Sequence, residues 1–325
     1  MKKSYKILII VAVVLIGLSF LKDMIIKAVI VNVGSDLAGA RLDVGSFSSN
    51  FFAQKIRIKN IKLYNPPGFS KEYLIDIPEV GMDFDLGAFV SGKLHLPLIV
   101  LNVNEMVIVK NEKGELNVDS LKVVKEAKQS KKAGSPDEKK SKPQKDIAMQ
   151  IDLLKLNLNQ VVYKDFSQGQ QPVVQVYPVD LKNKTFENIT SPQQLVTLIL
   201  MQGMQKTAIK GAAIYAAAAM TGVGLIPAGI IGALTGQDEV TAEFQTNFNR
   251  VYDITLKTIN AMGDVKIDNK SGGVIKAKVN GADVTINFSE KSKNLVHVSV
   301  SARQFMLPKP EIAGGVIYKM KEALK

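Results

Sequence analysis

Residues Ile7–Leu21 form one unbroken apolar run, and close behind it the chain turns into a period-two alternation of apolar and charged residues. That order places a sheet with one oily face beside an apolar segment. The run opens behind Lys2, Lys3 and Lys6 and closes on Lys22 and Asp23. As a helix it reaches about 22 Å, short of the ~30 Å hydrocarbon core, so the flanking lysines would snorkel or the bilayer thin. A cleaved signal peptide has the same outline, but Ser19-Phe20-Leu21-Lys22-Asp23 supplies no small-x-small cleavage site. The expectation is therefore a retained N-terminal transmembrane helix within residues 1–30, its basic end in the cytoplasm and the bulk of the chain exported. The chain has no cysteine. This removes both lipid attachment at a thiol and a disulfide scaffold, leaving folding to burial alone.

Residues 31–121 read as a β module. Ile56, Ile58, Ile61 and Leu63 alternate with Lys55, Arg57, Lys59 and Lys62, and Ile75, Ile77, Val80, Met82, Phe84 and Leu86 repeat the pattern. Leu94, Leu96, Leu101, Val103 and Ile108 continue it. Such a sheet has one apolar and one charged face. The change of phase between Ile58 and Ile61 implies a bulge or bend that curves it. Asn65-Pro66-Pro67-Gly68 is a turn by its own chemistry, because proline fixes φ and donates no backbone hydrogen. Ser91-Gly92-Lys93 and Glu112-Lys113-Gly114-Glu115 read as further connections.

A net charge of +12 raises the question of nucleic acid. Its distribution answers it. Residues 122–146 carry nine lysines against Glu126, Asp137, Glu138 and Asp146 and few apolar residues, the composition of a linker. No zinc-ligand spacing, aromatic-basic motif or basic recognition helix accompanies them. Nucleic acid is not expected as a partner; anionic head groups suit the lysines better.

The order of the anchor, Asn60-Ile61-Lys62-Leu63-Tyr64-Asn65-Pro66-Pro67-Gly68-Phe69, Ile77-Pro78-Glu79-Val80, Phe89-Val90-Ser91-Gly92-Lys93-Leu94, and Asn111-Glu112-Lys113-Gly114-Glu115-Leu116-Asn117-Val118 with Leu121 resembles the N-terminal part of AsmA-like proteins. These are related to the chorein-type, bridge-like lipid-transfer proteins. The resemblance spans roughly residues 1–180. It implies a membrane-anchored, curved, taco-like antiparallel sheet whose inner face holds phospholipid acyl chains in the bacterial envelope. The present chain has too few strands to bridge two membranes unaided.

Residues 147–190 continue the β module through Ile151, Leu153, Leu154, Leu156 and Leu158, then Val161–Phe166 and Val173–Leu181. Asp165 reads as a turn residue, since no histidine stands near it in sequence. Residues 191–237 form an apolar stretch rich in alanine and glycine, uncharged from Gly211 to Gln237. Gly222, Gly224 and Pro227 interrupt it, and the flanking charges are the wrong way round for insertion from outside. It is expected as a close-packed helical hairpin lying against the bilayer or over the sheet, with a hairpin buried in a soluble core and a second membrane span as the alternatives. Residues 240–325 read as a small α+β sandwich of helix, antiparallel sheet and helix: helical spacing from Phe248 to Met262 stopped by Gly263, a hairpin at Asn280-Gly281, and a closing helix from Glu311 to Leu324. Its Gly273–Lys278 and Gly281–Ile286 resemble a small domain of bacterial envelope lipoproteins. The fold class expected for the whole is thus α+β.

Catalytic constellations are absent from the sequence. His95 and His297, the two histidines, each sit in an alternating apolar strand, no nucleophile elbow occurs, and the carboxylates lack paired or metal-loop spacing. No enzyme, cofactor or metal is expected. The expected role is an inner-membrane-anchored periplasmic protein whose trough for lipid is lined by Ile56, Ile58, Val80, Met82, Phe84, Leu94, Leu96, Leu101 and Val103. The same residues equally suit a plain core facing the helices. The alternative role is a structural or assembly factor that binds other envelope proteins.

Overall fold

The computed structural model describes residues 23–125, 149–205, 207, 209 and 239–324, apart from 168, 170 and 306. It is α+β, with two sheets and few helices. The expected anchor at Ile7–Leu21, the 126–146 part of the lysine-rich linker and the alanine-glycine stretch 211–237 lie outside the described residues. Among those described, no helix is long and apolar enough to cross a membrane.

Helix α1, 23–38, lies along the first strand: Lys27 Nζ donates to the Gly45 carbonyl at 2.9 Å, and Gly34 meets Leu42. The first sheet runs in the order β1 (Leu42–Asn50), β2 (Lys55–Tyr64), β3 (Tyr73–Asp83), β4 (Leu94–Lys110), β5 (Met149–Asp165), β6 (Val173–Ile189). All neighbours are antiparallel except β4 and β5, which pair in parallel from Leu94–Met149 to Lys110–Asp165. This corrects the expectation of a wholly antiparallel sheet. The chain leaves β4 at one end and re-enters β5 at the other, and only a long connection of the kind found at 111–148 allows that return.

The phase change between Ile58 and Ile61 is a bend. Asn60 takes a left-handed φ of 53° while the register on both flanking strands is unbroken, so both isoleucines face the core. Gly45 sits opposite, where a Cβ would come within 2.8 Å of Asn60 Cβ. Period two ends earlier than expected in β3: Leu86 belongs to a short helix α2 (Leu86–Val90), capped by Asp85, which accepts from the Ala88 amide at 3.0 Å.

Helix α3 (Pro192–Gln205) buries Leu200, Met201 and Met204 against the apolar face of this sheet. The segment from Leu116 to Val124 joins the same core. The second sheet runs β12 (Leu307–Pro308), β11 (Leu295–Gln304), β10 (Ala282–Ser292), β9 (Val274–Val279), β8 (Gly263–Asn269), with β7 (Glu239–Phe244) also on β11. Strand β7 was not legible in the sequence. Helices α4 (Phe248–Met262) and α5 (Pro310–Leu324) cover its core. Asn280 and Gly281 both have positive φ, 49° and 77°, as a two-residue type I′ hairpin requires.

Candidate functional site

Rows of apolar side chains each cross five of the six strands of the first sheet. One row runs through Phe47, Ile58, Val80, Leu101 and Leu156, the next through Ile56, Met82, Ile99, Leu154 and Phe186. Each strand contributes alternate residues because neighbouring side chains on a strand point to opposite faces. The nine trough candidates fall into two groups. Ile58, Val80, Phe84, Leu96, Leu101 and Val103 are buried in the core cluster that also takes in residues of α3 and the 116–124 segment. Ile56, Met82 and Leu94 are only partly buried, as are their neighbours Phe47, Phe51, Met149 and Phe186.

These partly covered residues gather at one end of the sheet, here termed the foot. The β1–β2 turn and the β3–β4 connection meet there: the Phe84 amide donates to the Gln54 carbonyl at 3.0 Å, the Leu86 amide donates to Gln54 Oε1 at 2.9 Å, and Phe51 packs edge-on to Phe84 with ring centroids 5.7 Å apart. Helix α1 enters at the same end, because Ser49 Oγ donates to Asp23 Oδ1 at 2.5 Å.

On the opposite, charged face, Lys55 pairs with Asp83 at 2.9 Å, Arg57 with Glu79 at 3.4 Å and Lys59 with Glu79 at 3.7 Å. An open hollow of about 610 Å³ lies here, walled by Lys55, Arg57 and Asp83, with Gly81, Leu98 and Val100 on its floor. The sequence reading missed it. Its signal was Leu98 and Val100, which break the polar phase of the charged face, beside a glycine that leaves open space.

The far end of the charged face is apolar. Val107, Val109, Val162, Val174 and Val176 cluster there, and α5 covers them so closely that a Cβ on Gly315 would stand 2.0 Å from the Val174 carbonyl oxygen. Continuous apolar runs such as Met106–Val109 are the sequence signature of a strand covered on both faces. Within this contact Lys164, 3 % exposed at its side chain, bonds Glu72 at 2.9 Å and Glu322 at 3.2 Å. Buried Glu105 accepts from Tyr73 Oη at 3.0 Å and from Gln160 Nε2. Burial and the Glu105 charge push the Tyr73 phenol well above its ordinary value, so it stays a neutral donor.

His95 stands at the foot with Asp152 on one nitrogen at 2.8 Å and Asp85 on the other at 3.3 Å. Hydrogen bonding to Asp152, then to Asp85, raises its pKa. These carboxylates come from other segments and were invisible to the sequence reading. His297 Nδ1 lies 3.8 Å from Glu243. Asp165 accepts from Ser167 N and Oγ, Tyr163 Oη and Lys110 Nζ, the environment of a turn carboxylate. No cluster placed to hold a metal ion occurs among the described residues.

A family model described as the AsmA family matches residues 3–221, which takes in the whole first sheet, α1 and α3. It stops short of the second sheet. No curated protein matches the chain.

Proposed function

Because the chain belongs to the AsmA family, we propose that it is a non-enzymatic bacterial envelope protein, held in the inner membrane by Ile7–Leu21, whose first sheet shields phospholipid acyl chains along its apolar face. Its periplasmic bulk would contribute to lipid transport or outer-membrane homeostasis. The observation that carries this reading is the apolar face itself. Its rows each run through five strands, and it is packed by protein where Ile58, Val80, Leu101 and Val103 lie and only half covered at the foot, where Ile56, Met82 and Leu94 stand. An acyl tail laid on that half-covered end gains about 0.8 kcal/mol per methylene removed from water.

Native mass spectrometry of the full chain, gently extracted, tests the reading. Co-purified phospholipid that is lost on Ile56→Lys with Met82→Lys is expected. Lipid-free protein in complex with other envelope proteins would favour the assembly role instead.

A further inference from the structure

The foot exposes apolar side chains that the interior does not need. Phe52 is fully exposed, Val90 is 80 %, Met24 64 %, Ile25 61 % and Phe89 57 % exposed. They come from three separate segments, the β1–β2 turn, α2 and the start of α1, that the Gln54 and Asp23 hydrogen bonds hold together. Single exposed hydrophobics are ordinary on a protein surface, but large ones converging from three segments mark a contact surface. The chain itself says which surface. Asp23 is fixed beside Ser49 at the foot, and the apolar run Ile7–Leu21 ends two residues before it, so any membrane that receives the run lies against this end of the sheet. Exposed Lys93, in the loop after α2, offers positive charge where anionic head groups would stand.

We propose that Phe52, Phe89 and Val90 insert into the head-group and upper acyl region of the bilayer, seating the first sheet upright with its half-covered apolar end at the lipid surface. The inference rests on the anchor reading given above. Aromatic and aliphatic side chains on loop tips suit that depth because they remove apolar area from water without requiring backbone to enter the hydrocarbon.

The chain has no tryptophan, so a single substitution gives a clean fluorescent probe. Full-length Phe52→Trp, Phe89→Trp and, at the opposite end of the sheet, Phe69→Trp are reconstituted in phosphatidylethanolamine and phosphatidylglycerol vesicles carrying lipids brominated at shallow or deep acyl positions. Alkaline carbonate extraction is run on the same vesicles. The expected result is retention of all three variants, with blue-shifted emission quenched by shallow bromines for positions 52 and 89 and unquenched emission for position 69. Retention with no quenching at 52 and 89 overturns the foot and leaves the anchor standing. Equal quenching at 69 overturns it too, since the sheet would then lie flat. Release by carbonate overturns the anchor and the foot together.

Discussion

Asn117 donates from Nδ2 to Asn65 Oδ1 across 2.7 Å, joining two turns that lie 52 residues apart in sequence. Asn65 opens the Asn-Pro-Pro-Gly turn, and Asn117 closes the Asn-Glu-Lys-Gly-Glu-Leu-Asn segment. Fully buried, Asn117 also donates to the Val107 carbonyl at 2.8 Å and accepts from the Val109 amide at 3.0 Å. The short phrases that made the family legible are thus two halves of one internal lock.

Asn117→Ala leaves the Val109 amide and Val107 carbonyl without these partners in a dry site. Such a loss costs roughly 2–3 kcal/mol. Urea unfolding should show the midpoint fall with an unchanged slope. Asn65→Ala, at the half-buried rim, should cost less.

Two adjacent glycines on α5 should respond unequally to alanine. At Gly315 the new methyl would meet the Val174 backbone oxygen at 2.0 Å, whereas at Gly314 the nearest atom is the Val176 side chain at 3.2 Å. Backbone cannot step aside as a side chain can. Gly315→Ala is expected to destabilise by about 1–3 kcal/mol and Gly314→Ala by less, read from thermal unfolding.

Lys164 has two carboxylate partners, and removing them one at a time or together should not be additive. Glu72→Gln or Glu322→Gln alone leaves the buried ammonium one anion. The double substitution leaves none of the pair, and a buried charge without a counter-charge is strongly destabilising. A double-mutant cycle by denaturant unfolding should give a double loss exceeding the sum of the singles.

The His95 bridge predicts a pH dependence with a definite sign. Its pKa is raised in the folded chain, so the stability it adds is fully present below the unfolded value near ~6.5 and disappears as pH rises through the folded value. Asp85, held low first by the Ala88 amide and then by His95, and Asp152, held low first by His95, act in the opposite window. Their contribution is present at neutral pH and is lost as pH falls through their folded values. His95→Gln should flatten the decline in unfolding midpoint as pH rises above the unfolded histidine value of ~6.5. An unaltered profile in that variant would show that the bridge does not couple to folding.

The local pattern of the chain carried much of the fold. Alternation from Ile56 to Val103 assigned most of the apolar face correctly, since inward and outward facing follows directly from backbone pleat. Asn280-Gly281 marked a hairpin through its own conformational chemistry, and Gly263 marked a helix end where a Cβ would stand 2.1 Å from the Lys278 carbonyl oxygen. Alternation failed at Leu86, where the Asp85 cap starts a helix, and at Leu153, which faces away from Leu154.

What the sequence alone determined is therefore which side of each strand is oily, where the turns fall and which family the phrases belong to, because these depend on residues within a few positions of one another. Only the tertiary structure decided that β4 and β5 run in parallel, that Lys164 is buried beneath α5, that His95 finds two carboxylates, and that most of the apolar face is packed while its foot stays half covered. Those outcomes depend on segments 55 to 158 residues apart meeting at particular atoms. A period of two records that a face must be covered, and it holds no record of what covers it.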